Sequence, residues 1–210
     1  MSDNARAPIG KTLIEDGFAS RPHPGESVSG DGHVVAPCRH GVLVGVVDGL
    51  GHGSEAARAT KIATETLRRL AGESVISLVR HCHEALHGTR GVAVSIASLD
   101  ALEDTMAWIS VGNVEGRLIR AEAAGDGTRE SVLLRGGVVG FQLPPLRASV
   151  LTVSPADLLL FATDGVRHGF DEGVIVSDPP QKIAESILDR HAKGTDDALI
   201  LAVRYLGAGR

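Results

Sequence analysis

Three apolar runs in this 210-residue chain each carry aspartate at one end. Val42-Leu43-Val44-Gly45-Val46-Val47 runs into Asp48, and Leu158-Leu159-Leu160-Phe161-Ala162-Thr163 runs into Asp164. The pair Asp196-Asp197 directly precedes Ala198-Leu199-Ile200-Leu201-Ala202-Val203. Short apolar runs bounded by turn residues read as strands. Strands with Asp at one end can bring several carboxylates to one rim, and adjacent carboxylates repel unless cations neutralise them. Oxygen-only ligands suit hard cations, Mg or Mn. The outline is that of a dinuclear hydrolase. The first run also opens Asp48-Gly49-Leu50-Gly51-His52-Gly53, whose three glycines let backbone approach a ligand closely.

The remaining elements follow from periodicity and punctuation. Ile9 to Glu15 reads as a strand, and Ser20 to Gly32, rich in Pro, Gly and Ser, as a loop. Val34 to Pro37 pairs with Val42 to Asp48 around Arg39-His40-Gly41. Ser54 is the expected N-cap of a helix to Leu70, with Ala56, Ala59, Ala63, Leu67 and Leu70 as its apolar stripe. A second helix spans Ser74 to Leu86. Strands then follow at Val92 to Ala97, Thr105 to Val111, Gly116 to Ala121 and Ser131 to Arg135, with Asp126-Gly127 as a hairpin turn. Gly136 to Arg147 is an irregular excursion. Ser149 to Val153, Leu158 to Thr163 and Ala198 to Tyr205 complete the strands, and Pro179 starts a third helix to His191. Strands come in consecutive runs and helices in blocks. That argues for α+β with largely antiparallel sheets rather than βαβ alternation. About ten strands are too many for one small open sheet, so two packed sheets flanked by helices are expected.

Composition narrows the partners. A net charge of -5 leaves no broad nucleic-acid footprint. The segment from Met1 to Lys11 has no apolar core of a signal peptide, and no run approaches the ~20 residues that span a bilayer. The expectation is a single cytoplasmic domain over residues 1–210, without membrane or nucleic-acid partners. Cys38 and Cys82 lack CxxC spacing and read as free thiols.

Taken together, Asp48-Gly-Leu-Gly-His-Gly, Val111-Gly112-Asn113, Thr163-Asp164-Gly165 and Asp196-Asp197 resemble, in order and spacing, the SpoIIE-type metal-dependent serine/threonine phosphatases. These are the bacterial branch of the 2C-type (PPM) phosphatases, and the likeness covers nearly the whole chain. It implies an α-β-β-α sandwich. It implies that Asp48 bridges two Mn2+ or Mg2+ ions, that the Gly49 carbonyl ligates one, and that Asp164 and Asp196 complete the other. Asp197 reads equally as a ligand or as a partner of neighbouring backbone. Ser29-Gly30-Asp31 matches an early element of the family whose role is at most supporting. The implied substrates are phosphoserine or phosphothreonine of bacterial stress-signalling proteins, such as STAS-domain stressosome components, or alternatively an anti-sigma-factor antagonist. A water shared by two cations becomes hydroxide near neutral pH and attacks phosphorus in line. Leu50-Gly51 separate Gly49 from His52, unlike the Asp-Gly-His-Gly of many relatives, so an acid role does not transfer by alignment. His52 is nevertheless the first candidate proton donor, and His168 the second.

Two other patterns compete. His83-Glu84-Ala85-Leu86-His87 is a literal H-E-x-x-H, the helical zinc-protease pattern. Gly88 ends the helix at once, Arg90 and Ala93 occupy the positions of a metzincin extension, and no downstream helix offers a third ligand. Gly49-x-Gly51 as a dinucleotide loop fails on Ser54 in place of the last glycine and on the missing βαβ alternation. A phosphoprotein-binding module without catalysis would not need Asp48, Asp164 and Asp196 together.

Overall fold

The computed structural model describes residues 13–121 and 129–207. Among the described residues ten strands form two antiparallel sheets. One is ordered β1 (Ile14–Arg21), β10 (Ala198–Tyr205), β9 (Leu158–Ala162), β6 (Glu115–Ile119), β7 (Arg129–Glu130). The other is ordered β2 (Asp31–Cys38), β3 (Gly41–Gly49), β4 (Val92–Asp100), β5 (Thr105–Val111), β8 (Ser149–Thr152). Helices α1 (Gly53–Arg69) and α2 (Val75–Ala85) cover the β3 sheet, and α3 (Pro180–His191) covers the β10 sheet. The result is the expected α-β-β-α sandwich.

The continuous apolar runs now have a cause. In β3, Val42, Val44 and Val46 face the other sheet, while Leu43 and Val47 face α1 and α2. In β10, Leu199, Leu201 and Val203 face the other sheet, while Ala198, Ile200 and Ala202 meet α3. Such strands are buried on both faces, so the usual apolar–polar alternation disappears. Trp108, the only tryptophan, is fully buried between the sheets, edge-on to Phe161, and donates its indole N–H to Ser95 Oγ at 3.0 Å.

Several local expectations are corrected. The first strand occupies Ile14–Arg21, further along than Ile9 to Glu15, because eight residues pair with β10 despite the interior Gly17; residues 9–12 lie outside the described residues. The N-cap of α1 is His52, not Ser54, and its side chain makes no capping bond. Ser74 does cap α2, accepting from the Ser77 amide at 3.2 Å. Ser131 to Arg135 is not a strand. Beyond Glu130 the chain leaves β6, and its Arg135 carbonyl accepts the Gly112 amide across the end of the other sheet. Asp126-Gly127 lies outside the described residues. Among the described residues no helix is long and apolar enough to cross a membrane.

The tight fit around Trp108 gives a test. A Cβ at Gly116 would run into the Trp108 ring edge at Cζ2. Gly116→Ala should therefore destabilise by about 1–3 kcal/mol through overpacking. Urea unfolding followed by the fluorescence of the single tryptophan measures it, and an unchanged midpoint would show that the ring has room to shift.

Candidate active site

Strand alternation places the carboxylates. On β3 the face that carries Val42, Val44 and Val46 toward the other sheet carries Asp48 next, at the strand end. On β10 the face of Leu199 and Leu201 extends back to Asp197, and on β9 the face of Leu159 and Phe161 extends forward to Thr163. Asp31 stands directly opposite Asp48 in the β2–β3 register. The open end between the sheets is thus lined by Asp31, Asp48, Thr163 and Asp197, with Asp164 and Asp196 just beyond their strands.

Each group has a definite partner. Asp31 Oδ2 accepts the Thr163 hydroxyl at 2.8 Å, and Thr163 Oγ1 accepts the Leu199 amide at 2.8 Å, so one threonine ties the carboxylate to the adjacent strands β9 and β10 of the far sheet. Asp164 Oδ2 accepts Asn113 Nδ2 at 2.6 Å, and its carbonyl accepts the Lys193 ammonium. Asp196 Oδ1 accepts the Asp197 amide at 2.9 Å. Asp197, buried at 3% exposure, accepts the His23 amide at 2.8 Å and the Gly30 amide at 3.0 Å, one on each oxygen. It therefore serves neighbouring backbone, one of the two roles its sequence position allowed. The Gly30 carbonyl in turn accepts the Gly49 amide at 3.1 Å and the Thr60 hydroxyl at 2.5 Å, which docks the start of α1 beside Asp48.

The electrostatic consequence is severe. Burial pushes the Asp48 carboxyl up to about 7, and Asp164, Asp196 and Asp197 push it the same way. Burial and then Asp48 push Asp31 up to about 8, against the bond from Thr163, with Asp197 and Asp164 adding to the rise. Carboxylates that resist ionisation at neutral pH lack positive charge, and an oxygen-only donor set of this kind fits hard divalent cations. Among the described residues no three His, Cys, Asp or Glu side chains are grouped so that they could hold a metal ion by themselves. Such a rim suits Mg2+ or Mn2+, which are held by a few carboxylates and keep several waters.

His52 Nδ1 lies 3.0 Å from Glu26 Oε1, and its ring stacks on His23. His168 is exposed and pairs through Nδ1 with Glu115. The H-E-x-x-H segment is used differently from a metal site: His83 Nδ1 accepts the Gly140 amide at 3.0 Å, and Glu84 and His87 are exposed. Glu26 was not singled out by the sequence, Thr163 entered only as part of the Thr163-Asp164-Gly165 motif, and Asp31 only as an early family element of at most supporting role. The signal for Asp31 was available in the register, since a tight turn at residues 39–40 sets it opposite Asp48.

The fold is the sandwich of PP2C-type phosphatases. The model of the family Stage II sporulation protein E (SpoIIE) matches residues 39–206, and the chain belongs to that family. Phosphoserine phosphatase RsbX of Bacillus subtilis (strain 168) is 30% identical over 90 residues, which span 43% of this chain and 45% of that protein. A chain solved in work on the bacterial stressosome, as a modular system adapted to control secondary messenger signalling, superposes with a TM-score of 0.82 at 25% identity, over 91% of this chain and 99% of its own. The crystal structure of RsbX in complex with magnesium superposes with a TM-score of 0.81 at 20% identity, over 92% and 96%.

The raised carboxyls set a stability prediction. A group whose pKa is higher in the folded state binds more protons there, so stability falls as pH climbs from the unfolded value to the folded one. For Asp31 and Asp48 that window runs from the ordinary carboxylate value of 3.8 up to about 8 and about 7 respectively. Chelator-treated protein should lose thermal stability between pH 5 and pH 8 by roughly 1 kcal/mol or more. Mn2+ should restore it, with a larger rise in Tm at pH 8 than at pH 6. Asp164→Asn should shrink the metal-induced rise. A Tm indifferent to Mn2+ at pH 8 would count against a cation site here.

Proposed function

We propose that this protein is a metal-dependent serine/threonine phosphatase acting on phosphoproteins of bacterial stress signalling. The observation that carries the reading is the apposition of Asp31 and Asp48 at the inter-sheet rim, where burial and neighbouring carboxylates push both carboxyls up, with Asp164 and Asp196 beside them. In this reading Asp48, the Gly49 carbonyl, Asp164 and Asp196 hold two Mn2+ or Mg2+ ions. Two such cations, when bound, acidify a shared water and neutralise charge on the phosphoryl oxygens. The chain's own groups arrange that chemistry. Asn113 orients Asp164, Thr163 fixes Asp31 against Asp48, and Asp197 adds charge while holding the loop before β2. His52, at the start of α1, supplies the proton that the departing serine oxygen needs.

The substrate class rests on relatives. RsbX is named a phosphoserine phosphatase, and a chain from the stressosome work shares this fold over nearly its full length. Phosphorylated STAS-domain stressosome components are accordingly the first substrates to try, with an anti-sigma-factor antagonist as the comparison.

Phosphate release from a phosphoserine protein in Mn2+ tests the reading. Asp48→Asn and Asp196→Asn should each lower turnover by more than about a hundredfold, beyond the 10- to 100-fold cost of disturbing a group behind a ligand. Glu84→Gln, on an exposed helix end, should leave turnover and stability nearly unchanged. Loss of activity in Glu84→Gln with full activity in Asp196→Asn would overturn the assignment in favour of the H-E-x-x-H segment.

A further inference from the structure

We propose that Glu26 and His23, both on the loop between β1 and β2, position His52 for proton delivery to the leaving oxygen. The inference rests on the phosphatase reading above, and concerns how this chain carries out one step of it.

His52 occupies the N-cap of α1, yet its side chain leaves the helix amides alone. Its Nδ1 is instead 3.0 Å from Glu26 Oε1. An ionised carboxylate only accepts hydrogen bonds, so Nδ1 carries a proton and Nε2 is the ring nitrogen left to act. The imidazole is also held from its face, because the His23 ring stacks on it at 4.2 Å between centroids and 13° between planes. His23 in turn is fixed at both ends, its Nδ1 2.9 Å from the Pro24 carbonyl and its backbone amide on Asp197 Oδ1 at 2.8 Å. The stack is therefore tied by one residue to a carboxylate of the acidic rim. Gly53 makes room for the arrangement: it has φ +77, and a Cβ there would lie 2.9 Å from Glu26 Oε1.

A purely structural role explains little of this. His52 and Glu26 side chains are 52% and 35% exposed, and ion pairs so open to water add little to stability. Orientation is what the contacts specify: a fixed tautomer, a fixed ring plane and one free nitrogen. The proton balance is simple. As water adds to phosphorus and gives one proton to solvent, the bond from phosphorus to the serine oxygen breaks. The Nε2 proton of the imidazolium passes to that oxygen, and neutral His52 keeps its Nδ1 proton on Glu26. Solvent then returns a proton to Nε2, so the net change is addition of one water across the ester bond.

Leaving-group dependence tests the idea. A serine alkoxide needs a proton on departure, whereas p-nitrophenolate does not. His52→Gln and Glu26→Gln should each lower kcat on a phosphoserine peptide by roughly tenfold or more, with p-nitrophenyl phosphate turnover within about twofold of the parent. His23→Ala should resemble Glu26→Gln, and His23→Phe, which keeps a ring to stack but loses the contact with the Pro24 carbonyl, should recover part of the loss. In metal-free protein, 15N NMR should show His52 protonated at Nδ1, a preference that Glu26→Gln abolishes. If His52→Gln shows the selective loss while Glu26→Gln shows neither loss nor a changed tautomer, the positioning role is wrong and His52 still stands as donor. If His52→Gln affects both substrates alike, the donor assignment itself falls. If the parent releases no phosphate in Mn2+ from either substrate, the phosphatase reading falls first.

Discussion

Mutual repulsion of carboxylates at the open end of the sandwich is the constraint on which the site depends. Asp31 and Asp48 sit in register on paired strands and have no freedom to separate without breaking the ladder. Asp197 is fixed by two backbone amides, and Asp164 by Asn113. The energy that holds like charges together comes from elsewhere: three apolar layers, one between the sheets and one under each helical cover. Burial on both faces of β3 and β10 makes those strands rigid enough to present charge at their ends. Positive charge placed at this rim would relieve the repulsion, so folding stores there a demand for it.

Much of this was legible in the chain. The apolar runs of β3, β9 and β10 are long, uninterrupted and capped by Asp, and their placement and the two-sheet architecture followed from that pattern. Helix α2 and its Ser74 cap were likewise local. What escaped were features set by pairing and docking. The first strand was expected to end at Glu15, before the charge and glycine of Asp16-Gly17, yet β10 supplies eight consecutive partners from Ile14 to Arg21. Ser54 is the better capping residue by type, but the glycine-rich turn starts the helix earlier, at Gly53, with His52 before it. Asp31 looked peripheral because its importance lies in the residue across the strand pair, and Thr163 because its hydroxyl spans two sheets.

The H-E-x-x-H pattern shows the opposite failure, a motif without its context. His83 and His87 do fall on neighbouring turns, with ring centroids 5.1 Å apart. But His83 spends its Nδ1 lone pair on the Gly140 amide, which pins the irregular segment between β7 and β8 to the end of α2. The bridge between Val92 and Val139 holds the same segment to β4. Histidine in this position works as a hydrogen-bond acceptor for a loop.

The clamp that Asp197 places on His23 and Gly30 reads only peptide N–H groups. Gly30 is confined by its surroundings, since a Cβ there would meet the Ala56 Cβ at 2.8 Å, and proline is barred from both anchors. The exposed positions Pro24, Ser27 and Val28 carry no such obligation. Their side chains can drift through evolution while the anchor bonds persist. Within the loop, scaffold and outward-facing chemistry are thus inherited separately: descendants of this chain could acquire a different recognition surface beside the acidic rim without renegotiating the geometry beneath it.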